Sequence, residues 1–569
     1  MSNLLEQASL VMIPSGYKED IVYSEIPING SGDLQFTRSS NGTRVNSAGL
    51  VEVVPWNLVQ QSETFDNAFW SVDNGSITAN STTAPNGTTT ADTLTRNAST
   101  AYLYNGSFNL GIGEFTQSIY AKANASSSIR LEFVTGAFGR GAACIFDLSN
   151  GTAGTLTIYG GVSGFTATIE SVGNGWYRCS IGGTITIADT YYYEISITTG
   201  SIYIWGAQIN IGSTAKPYFP TTDRLNVPRL TYQNGGGGCP SLLLEKQSTN
   251  LVTYSEQFDN AAWPPFTTGS GTVNVIANAA ISPDGTQNAD EIQFTRSALT
   301  EQAVIYQTQS ASNATYSRTI YLKAARSQDI GKKVDVWSYN GSSLISPISA
   351  TLTADWQRFD AGTATGGLVE ILSFGYLPSA LYPTTSGTDV RFYAWGAQGE
   401  VSNYATSYIP TQASSATRVA DDCSKTGISS LFGTNQGTFF IDFVYYGSEQ
   451  FCYIFDVTDA SNVNRFLMYD SNGSGLFYFY DNGYAVIDAY QLTKGQRYKI
   501  GVKYNSSGTI WYVNGVLEGT GTVSFAHQMS QLYLGIRYSF TDNTGMQVNE
   551  SIVFPTALSG TDLISLTTI

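Results

Sequence analysis

The stretch Asn57-Leu-Val-Gln-Gln-Ser-Glu-Thr-Phe-Asp-Asn-Ala-Phe-Trp70 returns as Asn250-Leu-Val-Thr-Tyr-Ser-Glu-Gln-Phe-Asp-Asn-Ala-Ala-Trp263. Five further pairs follow in the same order. Gly87–Arg96 parallels Gly285–Arg296, and Ser118-Ile-Tyr-Ala-Lys-Ala123 parallels Thr319-Ile-Tyr-Leu-Lys-Ala324. Asn174-Gly-Trp-Tyr-Arg178 parallels Ala354-Asp-Trp-Gln-Arg358, and Tyr203-Ile-Trp-Gly-Ala-Gln208 parallels Tyr393-Ala-Trp-Gly-Ala-Gln398. Tyr218-Phe-Pro-Thr221 parallels Tyr408-Ile-Pro-Thr411. Collinear matches at a slowly drifting offset mean two copies of one module separated by loop insertions. The copies occupy residues 56–222 and 250–412.

Each copy alternates short β-rich runs with Gly, Asn and Ser turns, the pattern of a sandwich or jelly roll. Trp-Gly-Ala-Gln reads as the last core strand, and Tyr-x-Pro-Thr ends it because proline cannot continue a central ladder. Composition agrees. Only 13% of the 569 residues are charged, and another 13% are aromatic. Strands favour Val, Ile, Thr and aromatics, whereas helices need runs of Ala, Leu, Glu and Lys that are scarce here. The expected fold class is all-β, with tandem jelly-roll or β-sandwich domains.

A formal charge of −16 with no basic cluster argues against nucleic acid, whose phosphates require Lys and Arg stripes. It argues equally against an anionic membrane surface. No apolar run reaches the length of a membrane helix, and Met1–Lys18 does not read as a signal peptide. The five cysteines, Cys144, Cys179, Cys239, Cys423 and Cys452, are too scattered for a disulfide framework or a zinc site.

A shorter repeat punctuates the chain. Thr43-Arg-Val-Asn46, Asp223-Arg-Leu-Asn226 and Thr417-Arg-Val-Ala420 stand before, between and after the modules. The first two lead into Gly49-Leu-Val-Glu52 and Leu242-Leu-Leu-Glu245, read as linker strands that pack on the module that follows. The expected organisation is an N-terminal attachment segment (1–55), copy 1 (56–222), a linker strand (223–249), copy 2 (250–412) and a final domain (413–569).

The final domain carries the alternating strand Gly437–Tyr445, the pair Gln496–Tyr504 and Thr509-Ile-Trp-Tyr-Val-Asn-Gly515, and a closing Ser551–Asp562 segment. Asn514-Gly515 marks a tight hairpin. This order resembles laminin-G-like and concanavalin-like lectin domains, which implies a two-sheet sandwich, often glycan-binding and in some members calcium-binding. The runs Ala8–Lys18, Gly30–Ser40 and Gly238-Cys-Pro-Ser-Leu-Leu-Leu-Glu-Lys-Gln-Ser-Thr-Asn-Leu-Val252 resemble head-fibre and tail-fibre proteins of phages of the Bacteroidetes type. That resemblance implies a location on the virion surface and host glycans as ligands. It also implies attachment to other virion proteins through the N-terminal segment. A homo-oligomer is expected; a trimer is one form, although no heptad repeat specifies it.

No enzyme is expected. There is one histidine, His527, and no nucleophile elbow or phosphate loop. Glu63 and Asp66 recur as Glu256 and Asp259, and a carboxylate pair kept in both copies reads as turn capping. By the same logic the matched pairs Trp70/Trp263, Trp176/Trp356 and Trp205/Trp395 read as core. Binding residues are better sought where the copies differ. The candidates are Tyr191 and Tyr193 in copy 1, with Tyr484 and Tyr490 in the final domain. For calcium, Asp470, Asn472 and Asp481 offer oxygen ligands, but both segments also read as Asn-Gly turns. Two other functional readings stay open: a ligand-free capsid decoration or adaptor, and a polysaccharide-degrading tailspike.

Overall fold

The computed structural model describes residues 2–232, 236–308, 313–382, 387–461, 463–481, 485–521, 527–537 and 543–569. It is built almost wholly of antiparallel sheets. Two compact units result. One holds residues 55–225 with 284–288, and the other holds residues 1–54, 226–283 and 289–569.

The first unit is copy 1, a sandwich of two sheets. One sheet runs in the order Val162–Gly173, Trp176–Ile185, Gly113–Ala123, Ser201–Ile211, Ala91–Arg96, Gly75–Thr82. The other contains Gly141–Asp147, Ser128–Thr135, Asp189–Ile197, Ala101–Leu110 and Ser71–Asp73 in that order, with Thr152–Ala153 and Thr157–Gly160 beside the first of them. Period-2 alternation sends Ile129, Leu131 and Phe133 inward against Ile119, Ile181 and Ile209 of the facing sheet.

Copy 2, within the second unit, repeats that strand order. Gln357–Gly366, Ala314–Ala324, Asp389–Val401, Ala289–Thr295 and Thr272–Ala280 form one sheet. Leu344–Thr351, Lys333–Tyr339, Glu370–Tyr376, Ala303–Thr308 and Pro265–Thr267 form the other. Among the described residues copy 2 has no counterpart of the Val162–Gly173 edge strand, which accounts for the fall in offset between the Ser118/Thr319 and Trp176/Trp356 pairs.

The repeated motifs now have physical reasons. Asn57 Nδ2 donates to the carbonyls of Ala207 (3.0 Å) and Phe219 (2.9 Å), and Asn250 Nδ2 does the same to Ala397 (3.0 Å) and Ile409 (2.9 Å). Each asparagine ties the start of its module to the Trp-Gly-Ala-Gln strand, which lies centrally in its sheet. The glycine of that motif sits at a bulge with φ of +67° at Gly206 and +64° at Gly396. A Cβ at either would stand 3.0 Å from Tyr120 or Tyr321 respectively, so both conformation and contact call for glycine.

The final domain is a sandwich of an eight-stranded and a nine-stranded sheet. Phe439, Ile441, Phe443, Phe455, Phe466, Phe479 and Trp511 lie in its core. The N-terminal segment and the linker are built into it. Leu10–Met12 and Ser241–Leu244 both pair with Gly545–Phe554, and Leu34–Thr37 pairs with Asp422–Lys425. The expectation that the linker strands pack on the module that follows is therefore corrected. Leu242–Leu244 belong to the last domain's sheet, and Val51 packs with Ala289, Trp395 and Tyr408 of copy 2. Local sequence marks such segments as strands, but sheet partners are chosen by long-range pairing.

Joining these segments is a buried charge network. Asp421 accepts from Arg38 Nη1 (2.8 Å), from Arg229 Nη2, and from the Glu245 backbone N–H (2.9 Å). Glu245 accepts from Arg229 (2.8 Å) and the Ser407 N–H (2.7 Å) and is ion-paired with Arg418 at 3.0 Å. The Arg418 of the recurrent linker motif is thus a structural clasp.

Candidate functional site: a cleft on the outer sheet face of copy 2

In the strand Lys-Val-Asp-Val-Trp-Ser-Tyr (333–339), Val334 and Val336 enter the core. Alternation then sends Asp335, Trp337 and Tyr339 to the opposite face. The neighbouring strands complete that face. Trp337 is opposite Ser373, which is opposite Tyr306; Tyr339 is opposite Glu370; and Phe266 is opposite Val304.

Phe266, Val304, Tyr306, Trp337, Tyr339 and Glu370, together with Leu377 and Leu381, line a cleft of about 760 Å³. Phe266 and Leu381 stand exposed at its margin, 48% and 60% accessible, while Trp337 is 3% accessible and packs with Val304 and Leu377. Half-buried Tyr306 and Tyr339 line the cleft. Polar groups are few: Gln302, Ser342, Ser343 and Glu370. Glu370 is the only charged group of the lining among the described residues. Burial pushes its carboxyl up, against a hydrogen bond from Ser373 Oγ at 2.6 Å. Aromatic surface with a few convergent polar groups is the composition of a small-molecule or saccharide site.

The sequence-derived candidates fall elsewhere. Tyr191 and Tyr193 are 0% accessible and belong to the core of copy 1. Tyr193 donates to the Ser118 carbonyl at 2.8 Å and meets Trp70 edge-on. They are corrected to core residues: in an alternating strand the two outer members of the triplet share the inward face, and Tyr192 is the outward one. Tyr490 is half-buried, with its ring 6.1 Å from that of Tyr498, so it packs on the core instead of offering an open platform. Tyr484 lies outside the described residues.

Asp470 is buried and accepts from the N–H groups of Asn472 (3.0 Å), Gly473 (3.0 Å) and Gly475 (2.6 Å) and from Ser448 Oγ (2.8 Å). Its oxygens are committed to a turn, and Asn472 Oδ1 likewise accepts from Ser474 N–H at 3.1 Å. The calcium reading of these two residues is corrected to turn capping. The side chain of Asp481 lies outside the described residues. Among the described residues, no group of three acidic, histidine or cysteine side chains fits a metal ion.

The repeated Glu63 and Glu256 are each bonded to a tyrosine of their own module. Glu63 accepts from Tyr218 Oη (3.2 Å) and Glu256 from Tyr408 Oη (2.9 Å). The matched Asp92 and Asp290 cap the N–H groups of Phe65 (3.0 Å) and Phe258 (2.7 Å). Trp70 and Trp263 lie in the two module cores, while Trp205 and Trp395 pack under Tyr218 and Tyr408. Sequence reasoning passed over Trp337, Tyr339, Tyr306 and Phe266. The alternation in residues 333–339 was the available signal, since it sets two aromatics on the face opposite two valines.

No protein-family model matches the chain. No curated protein matches it. Parts of the chain are similar to solved structures. One is the Ruminococcus gnavus IT-sialidase CBM40 bound to α2,3-sialyllactose, 16% identical over 26% of this chain and 92% of that one, with a TM-score of 0.22. Another is the CBM22-1–CBM22-2 tandem of Paenibacillus barcinonensis Xyn10C, 11% identical over 61% of this chain and 98% of that one, with a TM-score of 0.23. A third is mouse laminin α1 domains LG4-5, 11% identical over 46% of this chain and 89% of that one, with a TM-score of 0.18.

Proposed function

We propose that this protein binds saccharides, with the outer-face cleft of copy 2 as its principal site. The observation that carries this is the joining of Trp337, Tyr306, Tyr339 and Phe266 around a cleft whose polar groups are Gln302, Ser342, Ser343 and Glu370. Sugar rings present apolar C–H faces and a rim of hydroxyls. Aromatic side chains take the first, and amide, hydroxyl and carboxylate groups take the second. Among the described residues the lining holds no lysine or arginine, so the ligand we propose is a neutral glycan rather than an acidic one.

The setting we propose is the virion surface of a phage, as a head or tail fibre. Support for it comes from the resemblance of residues 8–18, 30–40 and 238–252 to such proteins. In that setting other virion proteins hold the chain through its N-terminal segment, host glycans are the ligands, and oligomerisation multiplies weak single sites into useful avidity.

A polysaccharide array probed with the full chain tests the first part. Binding to neutral glycans is expected, lost at least tenfold in Phe266→Ala and Tyr306→Ala. Absence of any glycan binding, or binding untouched by both substitutions, would refute it. Antibody labelling of intact virions tests the second.

A further inference from the structure

Copy 1 keeps the sheet of the copy 2 cleft but replaces its chemistry. Where Tyr306, Ser373 and Trp337 stand in one row of copy 2, copy 1 places Tyr104, Glu194 and Glu132. Leu131, Phe133, Tyr193 and Ile195 point into the core, so Glu132 and Glu194 point to the outer face.

Both carboxyl groups are deeply set, with Glu132 0% and Glu194 8% accessible. Arg130 Nη1 lies 3.3 Å from Glu132 Oε1, which also accepts from Ser196 Oγ at 3.1 Å. Glu132 Oε2 and Glu194 Oε1 receive no donor from any other side chain or backbone group, and the two carboxyls share a hydrogen bond with each other. Asp73 adds negative charge nearby and holds the Tyr104 hydroxyl at 3.3 Å. Arg130 is the positive group that the site itself supplies, and it also reaches Tyr159 Oη at 2.6 Å.

Beside the carboxyls lies an aromatic surface. A Cβ on Gly106 would fall 2.3 Å from the Tyr192 ring, so the ring is laid close against bare backbone. The Tyr192 and Tyr104 rings are 6.2 Å apart and tilted by 36°. Two adjoining carboxyls with Asp73 beside them outnumber the single Arg130, so the surface next to the tyrosine pair carries excess acidic groups.

We propose that this face of copy 1 is a second binding site, selective for saccharides that bear a free ammonium group, that is, amino sugars without N-acetylation. The ammonium supplies the missing donors, and the sugar ring lies against Tyr192 and Tyr104. Burial, with the neighbouring Glu132 carboxylate, holds the Glu194 carboxyl up to about 7, so near neutral pH the pair holds a proton. Seating the ammonium between the oxygens displaces that proton to the buffer, with no covalent change in the ligand.

Isothermal titration of the full chain at pH 6, where the amine is already an ammonium and Glu194 still holds its proton, with a glucosamine tetramer and an N-acetylglucosamine tetramer, in two buffers of different ionisation enthalpy, tests this. The glucosamine tetramer is expected to bind at least tenfold more tightly, with a buffer-dependent heat that reports proton release. Glu194→Gln is expected to lose at least tenfold in affinity together with the proton release. Tyr192→Ala, which leaves the carboxyls in place, is expected to lose affinity while keeping selectivity for the amine, and it decides the matter if Glu194→Gln fails to fold. Equal affinity for both tetramers, no binding of the glucosamine tetramer, or wild-type affinity in the variants would overturn the proposal. So would loss of glucosamine binding in Phe266→Ala, because that would place it in copy 2. Failure of the neutral-glycan reading alone leaves the amine-selective result intact.

Discussion

Arg229 and Asp421, 192 positions apart, form an ion pair in which neither side chain reaches solvent. Asp421 also holds Arg38, while Arg229 also holds Glu245. Removing one partner of such a group leaves uncompensated buried charge. Asp421→Ala is therefore expected to lose about 3–5 kcal/mol, read as a lower urea midpoint for the unit made of the N-terminal segment, copy 2 and the last domain.

Acid should weaken the same network. Burial raises the Glu245 carboxyl, but Arg418 and Arg229 outweigh it and hold the group down to about 2. A carboxyl depressed in the folded state stabilises above its unfolded value near 4.5, and that contribution is lost as pH falls from there towards 2. Over that window the loss is on the order of 3 kcal/mol. Urea unfolding at pH 7 and pH 2 measures it, and Glu245→Gln should flatten the difference.

Glu194 runs the other way. Its folded value near 7 lies above the ordinary 4.5, so the native state keeps a proton that the unfolded chain releases. Stability of copy 1 should fall as pH rises from 4.5 to 7. Glu194→Gln should remove that slope and leave the protein more stable at pH 8 than the parent, as thermal unfolding would show.

Gly396→Ala and Gly206→Ala should each destabilise by about 1–3 kcal/mol. Both positions have positive φ and face a tyrosine ring at 3.0 Å. Gly87, also at positive φ but with open space around it, should cost less on the same change. Thermal melts of the three variants give the comparison.

Phe266→Ala should separate binding from folding in copy 2. Its ring is half exposed at the cleft margin, so a thermal shift within a few degrees is expected beside the tenfold loss of glycan affinity. Trp337→Ala removes a ring that is 3% accessible and should cost about 3–5 kcal/mol as well as affinity. A large melting shift in Phe266→Ala would show that the cleft margin is structural.

Much of the architecture was legible in the chain. The duplication predicted two like modules because residues kept in both copies, such as Asn57/Asn250 and Gly206/Gly396, serve the shared backbone. The strands Gly437–Gly447, Arg497–Asn505 and Gly508–Val513 of the final domain followed from alternation and the Asn514-Gly515 turn. The candidate site was less legible. Only part of the cleft lies where the copies differ: Trp337 stands where copy 1 has Glu132, whereas Tyr306 matches Tyr104. The choice of Tyr191 and Tyr193 failed because a run of three tyrosines does not reveal which parity faces the core. That parity depends on Leu131, Phe133 and Ile195 in neighbouring strands.

By itself the sequence determined the all-β class, the repeat and the turn chemistry, because periodicity, glycine placement and local hydrogen bonding act over a few residues. Tertiary structure alone decided that Leu10–Met12 and Ser241–Leu244 complete the last domain's sheet. It alone brought Arg38, Arg229, Glu245, Arg418 and Asp421 into one buried network, and it alone set Phe266, Tyr306 and Trp337 around one cleft. Sheet pairing and burial join residues hundreds of positions apart, and their energies depend on which strands become neighbours rather than on any local pattern.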